Sequence, residues 1–291
     1  MVEFIIIGAM KSGTTSFSDL LNNIPDVQMF QKKEAQFFSR YFHRGHDYYD
    51  SLYIDDNSIK GDASTCYSRH PAYDNVPEKI CNYNKDMKLI YILRDPIDRA
   101  YSHYCHNVLN DRYRYSSFKE AFELSDEIIS SSQYMYQIEQ YLKFFKKEQI
   151  LLLDFDDLKN SPENVVKTTL EFLGISHDYE PGLETSSRVL NKKGTAAVTN
   201  DITSVVLKIR NLPLLNKVIN ILIPENKRVI VRSKLVGLLS NSFISKILTT
   251  KKQRQFKEIT ENEIIFLSEK FNDDISKLES FWGRDLSKWR H

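Results

Sequence analysis

A lysine, a glycine and four hydroxyl side chains crowd into six residues near the N-terminus, Lys11-Ser12-Gly13-Thr14-Thr15-Ser16, with another glycine at Gly8. Backbone N–H groups of a tight loop, hydroxyl donors and a cation together suit a phosphate or sulfate group. A second pair, Arg94 with Ser102 eight residues on, sets a guanidinium and a hydroxyl around a helix start. A carboxylate, Glu34, lies beside two lysines in Lys32-Lys33-Glu34-Ala35-Gln36-Phe37-Phe38, where spacing alone reads as a solvated charged cluster.

Elements must hold these groups in place. Phe4-Ile5-Ile6-Ile7 is a short apolar run rich in β-branched residues and bounded by Gly8, which predicts a buried parallel strand. Phe17, Leu20, Leu21 and Ile24 then follow helical spacing up to Pro25. The anion loop therefore joins a strand to a helix N-terminus. Gly8 and Gly13 match the glycine spacing of a Walker A loop, but Thr14 stands where that motif has its lysine, and Lys11 lies inside the loop.

The pattern repeats. Leu89 to Leu93 predicts a second strand, followed by Asp95 as N-cap and Pro96 as first helical residue, with Ile97, Tyr101, Tyr104 and Val108 on one face and Ser102 off it. Ile150 to Leu153 predicts a third strand. Ser161-Pro162-Glu163 opens a helix with Val166, Leu170 and Leu173 inward and Gly174 as its stop. Ile264, Leu267, Phe271, Ile275 and Leu278 define a last helix ending near Trp282. Alternating strands and helices predict one α/β domain over residues 1–291 around a mainly parallel sheet.

Composition narrows the class. Of 291 residues 41% are hydrophobic, which suits a packed core, and 40 basic against 39 acidic residues leave a net charge of +1 that calls for no nucleic-acid partner. Cys66, Cys81 and Cys105 are too few for a disulfide framework and read as buried free thiols in a reducing compartment. No signal peptide or spanning helix is evident, so the chain reads as cytoplasmic. The histidines, His103 and His106 included, show no metal-ligand pattern, and no metal is expected. Tyr41, Tyr48, Tyr49 and Tyr67 suit either a sugar-lined cleft or the core.

The stretch 203–257 holds twelve lysines or arginines and a single carboxylate, Glu225. Broken by Pro213, Pro224 and Gly237, it reads as a helical lid or substrate-specificity segment at about 200–257. Its charge also suits weak contact with an anionic membrane surface.

The Lys11 to Ser16 loop resembles the 5′-phosphosulfate loop of sulfotransferases that use 3′-phosphoadenosine 5′-phosphosulfate (PAPS). Leu93-Arg94-Asp95-Pro96-Ile97-Asp98-Arg99-Ala100-Tyr101-Ser102 is similar to the 3′-phosphate signature of that family. Phe155-Asp156-Asp157-Leu158 and the closing stretch Leu278 to Trp289 resemble its later segments. The family implies a P-loop-kinase-like fold, PAPS as donor, no metal, and donor contacts from Lys11, Ser12, Gly13, Thr14, Thr15, Ser16, Arg94 and Ser102. Lys192, Lys193 and Gly194 fall where the family has a basic loop closing over the donor.

Lys32 to Phe38 resembles the Lys-Glu-x-x-Phe-Phe segment of the heparan sulfate and glycan branch. That likeness implies Glu34 as general base, Lys11 at the leaving oxygen, and Lys33, Gln36 and Phe37 at a carbohydrate or glycoconjugate acceptor. Asp62-Ala63 replaces the Glu-Lys pair frequent in that branch, and Gln36 replaces a histidine. These departures bear on the acceptor and leave donor use untouched. Two other readings of the residues stand beside this one: an ATP-dependent kinase of the P-loop fold, and a module that binds 3′-phosphoadenosine 5′-phosphate (PAP) or glycan without turnover. Thr14 and the Arg94/Ser102 pair count against the kinase, and Lys11 with Glu34 against the module.

Overall fold

The computed structural model describes residues 1–32, 34–110, 117–175, 256 and 258–291. The chain divides into one compact unit, Met1–Lys192 with Lys257–His291, and a second, Lys193–Phe256. Lys33, Lys192, Lys193, Gly194 and the basic stretch up to Lys257, apart from Phe256, lie outside the described residues.

Five parallel strands form the sheet: β1 (Phe4–Gly8), β2 (Val27–Met29), β3 (Ile59–Ala63), β4 (Lys88–Leu93) and β5 (Ile150–Asp154), in the order β2-β3-β1-β4-β5. β1, β4 and β5 are the three strands predicted from their apolar runs. β1 is central and wholly buried, pairing Phe4 with Gly61 on one side and with Lys88 on the other. Gly61 is required there, because any Cβ would collide with the Phe4 ring.

Helices cover the sheet. Those that matter for the site are α1 (Thr14–Leu21), α2 (His46–Asp50), α3 (Val76–Tyr83), α4 (Pro96–Leu109), α5 (Phe118–Leu124), α6 (Asp126–Ser130), α7 (Tyr134–Leu142), α8 (Phe155–Asn160), α9 (Pro162–Leu173) and α10 (Glu261–Trp282). α1 stops at Leu21, a turn before the Pro25 expected to end it, while α9 ends at Gly174 in the left-handed region as expected. Phe17, Leu21, Val166, Leu170 and Leu173 pack with Ile6, Ile90 and Leu153 into one core cluster. Asp274 of α10 accepts the backbone N–H groups of Met135 (3.0 Å) and Tyr136 (2.8 Å), tying the last helix to the start of α7. Burial pushes that carboxyl up to about 6.

Cys66 and Cys105 are buried free thiols; Cys81 is half-buried, which corrects the reading of all three as buried. No helix among the described residues is long and apolar enough to cross a membrane.

Candidate functional site

Strand order reverses around β1, so the loops leaving the C-terminal ends of β1, β3 and β4 meet at one edge. Open α/β sheets bind ligands at such a point. Each of the three loops carries part of the site.

After β1 the chain turns through Ala9 to Gly13 into α1. Gly13 adopts φ +82° as the N-cap of α1, with no side-chain cap and no acidic residue in the first helical turn. The N–H groups at that helix start therefore lack the usual carboxylate or hydroxyl partner and present a partial positive charge. Ser12 is fully buried and its Oγ has no hydrogen-bond partner, although a buried hydroxyl normally has one. An oxyanion seated in the loop would satisfy it, so this loop fits the phosphosulfate end of the expected donor. Lys11 is in the left-handed region at φ +75°, a conformation that costs an L-residue about 1–2 kcal/mol. The Lys11 charge is felt on α4, where it lowers the pKa of both His103 and Cys105 as a lesser cause beside the desolvation that dominates each.

After β4 stands Arg94. Its Nη1 donates to the Lys11 carbonyl at 3.3 Å, its Nη2 pairs with Asp98 at 3.2 Å, and its guanidinium lies 5.1 Å from the centre of the Phe155 ring. Asp95 caps α4 as expected, accepting from the N–H groups of Ile97 and Asp98, each at 2.9 Å. Tyr134 donates its hydroxyl to the Arg94 carbonyl at 2.7 Å. Arg94 is thus fastened to the anion loop, which gives the spacing of the two sequence motifs a physical meaning. Ser102 is half-buried on α4, two turns further along.

After β3 the short turn Thr65–Ser68 reaches both halves of the site. Ser68 Oγ packs so closely on Gly8 that a Cβ there would strike it. Thr65 Oγ1 donates to Glu34 Oε1 at 2.9 Å, and Gln36 Nε2 donates to Glu34 Oε2, also at 2.9 Å. Both carboxylate oxygens of Glu34 are therefore oriented while the side chain stays half-exposed. Gln36 has φ +52°, and its N–H donates to Ser64 Oγ at 2.9 Å. Lys11 and Gln36 are two of the three non-glycine residues with positive φ among those described, one in each half of the site.

Asp62 underlies this half. It is fully buried at the end of β3 and accepts from Ser64 Oγ (2.7 Å), Tyr49 OH (2.9 Å), Tyr67 OH (2.9 Å) and, more weakly, the Ala35 N–H (3.4 Å). Desolvation raises its pKa and those four donors oppose the rise. By holding Ala35 and Ser64 it fixes the segment that carries Glu34 and Gln36. Phe37 is fully buried and stacks on Tyr49 with centroids 4.5 Å apart and planes within 6°, in a ring cluster that includes Phe38 and Tyr83. This corrects its assignment to the acceptor surface: Phe37 supports the segment from the core. Tyr49 and Tyr67 are likewise core, while Tyr41 is exposed, Tyr48 is half-buried, and the two flank Arg44 at 5.2 and 4.7 Å.

Sequence reasoning missed several of these groups. Thr65 follows β3, whose sequence gives little strand signal. Arg99 is fully buried on α4, donating to Ser132 Oγ (2.7 Å) and the Ile128 carbonyl (2.8 Å), and burial lowers its pKa to about 10. His103 is fully buried beside it and held well below the ordinary histidine value by desolvation and then by the Arg99 charge. No cluster of three or more His, Cys, Asp or Glu suited to a metal occurs among the described residues.

This arrangement has counterparts. A family model for the sulfotransferase domain matches residues 2–206. The chain belongs to the sulfotransferase domain family. Mouse bifunctional heparan sulfate N-deacetylase/N-sulfotransferase 3 is 28% identical over 201 residues, covering 61% of this chain and 23% of that protein. Mouse heparan sulfate glucosamine 3-O-sulfotransferase 3B1 is 30% identical over 185 residues, covering 60% of this chain and 46% of that one. The sulfotransferase chain described here thus spans less than half the length of either relative. A solved sulfotransferase from Alicyclobacillus acidocaldarius shares its fold, with a TM-score of 0.68 over 100% of this chain and 99% of that one at 24% identity. The parallel sheet with a glycine loop at its switch point is the P-loop-kinase-like architecture expected of a sulfotransferase domain.

Proposed function

We propose that this chain transfers a sulfuryl group from PAPS to a hydroxyl or amine of a carbohydrate or glycoconjugate. One observation carries the reading. The Thr65–Ser68 turn touches the anion loop at Gly8 and orients Glu34 through Thr65, so that one short turn contacts both the oxyanion cradle and the base. PAPS supplies an already activated sulfuryl group on a phosphate leaving group. Ser12, Gly13, Thr14, Thr15 and Ser16 bind that end of the donor through the uncapped helix start and their hydroxyls. Arg94 and Ser102 take its 3′-phosphate, and Lys192, Lys193 and Gly194 contribute from outside the described residues.

Glu34 removes the proton of the acceptor, with Thr65 and Gln36 fixing which way its oxygens face. Lys11 stabilises the negative charge that grows on the bridging oxygen as the bond to sulfur breaks. Gln36 contacts the acceptor, and Lys33 is assigned to it from outside the described residues. The acceptor class draws support from the glycan named for both mouse relatives.

Incubation with radiosulfate-labelled PAPS and a panel of desulfated glycosaminoglycans and neutral oligosaccharides tests this. Label in at least one glycan is expected. Phosphate transfer from γ-labelled ATP to the same panel, without sulfate transfer, contradicts the reading and favours a kinase.

A further inference from the structure

Phe155 belongs to none of the groups assigned above, yet its ring touches two of them. It opens α8 directly after β5 and is half-buried. A Cβ built on Gly13 would lie 3.0 Å from its Cδ2 and Cε2, so the ring stands close against the Gly13 end of the anion loop. The Arg94 guanidinium lies over the other part of its surroundings, 5.1 Å from the ring centre. The residue before it is immobilised. Asp154 is 2% exposed, accepts the Asp156 N–H at 2.8 Å, and pairs with Arg284 at 2.9 Å and Lys288 at 3.1 Å from the closing segment of the chain.

We propose that Phe155 is a positioning residue for 3′-phosphate recognition, holding Arg94 against the anion loop. The proposal rests on the reading that Arg94 takes the 3′-phosphate of PAPS. A long arginine side chain gives up rotamer entropy when it is ordered by a ligand. Here the Lys11 carbonyl fixes one nitrogen, Asp98 another, and the aromatic ring the face, so much of that ordering precedes binding. The ring also keeps water from one side of the cation, which strengthens its attraction for a phosphate. Leucine in this position would keep the apolar contact with Gly13 and lose the stack.

Calorimetry with PAP and with AMP, which lacks the 3′-phosphate, separates this role from general support of the loop. Phe155→Leu is expected to weaken PAP binding about tenfold, equivalent to about 1.4 kcal/mol, and AMP binding less than twofold. Phe155→Tyr should restore the wild-type ratio. In an Arg94→Ala background Phe155→Leu should cost nothing further, because the group it positions is gone. Equal losses for PAP and AMP in Phe155→Leu overturn the proposal, and so does an unchanged PAP affinity. Should Phe155→Leu not fold, Phe155→Met provides the same comparison. A wild type that binds PAP no better than AMP overturns the donor reading and this inference with it, whereas a preference that survives Phe155→Leu overturns this inference alone.

Discussion

Replacing Lys11 by alanine is expected to lower kcat by about 10²–10³-fold while weakening PAP binding less than tenfold. A unit charge about 4 Å from a developing negative charge is worth about 4 kcal/mol at an effective dielectric near 20, which sets the upper end of that loss. The smaller effect on binding follows because PAP lacks the sulfuryl group under transfer, and because the uncapped start of α1 and Ser12 remain to hold its 5′-phosphate. Alanine also keeps the backbone problem unchanged, since Lys11 and alanine both meet the same penalty at φ +75°. Steady-state rates at saturating donor, paired with PAP titrations, check this. Equal losses in kcat and PAP affinity would remove Lys11 from transition-state stabilisation and leave it a simple anchor.

Glu34→Gln should cost more, about 10³-fold in kcat, within the range ascribed to a positioned general base. Glutamine matches the shape of glutamate and keeps a carbonyl oxygen for the Thr65 hydroxyl, so the segment built on Asp62 stays in place. The variant should bind PAP as the wild type does and unfold at nearly the same denaturant concentration. The loss should shrink when the acceptor's own proton is more acidic, since a weaker base then suffices. Turnover within fivefold of wild type would show that another group removes the proton.

The anion loop and the Arg94 helix start were legible in the sequence because they are local. Lys11 to Ser16 and Arg94 to Ser102 carry their meaning in residue type and short spacing, and β1 and β4 announce themselves as apolar runs. The half of the site built on Asp62 was legible only at Glu34. β3 reads Ile59-Lys60-Gly61-Asp62-Ala63, a pattern that looks like a turn. It is a strand because Gly61 makes room for Phe4, because Lys60 turns its ammonium to the Asp56 carbonyl at 2.9 Å, and because Asp62 finds donors from Tyr49 and Tyr67. Each of those conditions depends on residues distant in sequence. β2, only three residues long, gave too short a period to register.

The same holds for α4. One apolar stripe was visible, but the helix is also buried where Arg99, His103 and Asn107 face α6 and its surroundings, a polar interior sustained by Ser132 and the Ile128 carbonyl. Periodicity cannot distinguish a polar residue paired in the core from one in water. Phe37 erred in the opposite sense: motif likeness put it at the acceptor, and packing on Tyr49 puts it in the core.

The central claim is that the anion loop and Arg94 together accept a nucleotide carrying both a 5′-phosphosulfate and a 3′-phosphate. Calorimetric binding of PAP against ADP, for wild type and Arg94→Ala, tests it without knowledge of the acceptor. The two ligands carry the same number of phosphates in different places. Preference of the wild type for PAP by ~10²-fold, about 2.7 kcal/mol, and its disappearance in Arg94→Ala are the predicted results. ADP bound as tightly as PAP by the wild type would contradict the account and turn it toward phosphoryl transfer.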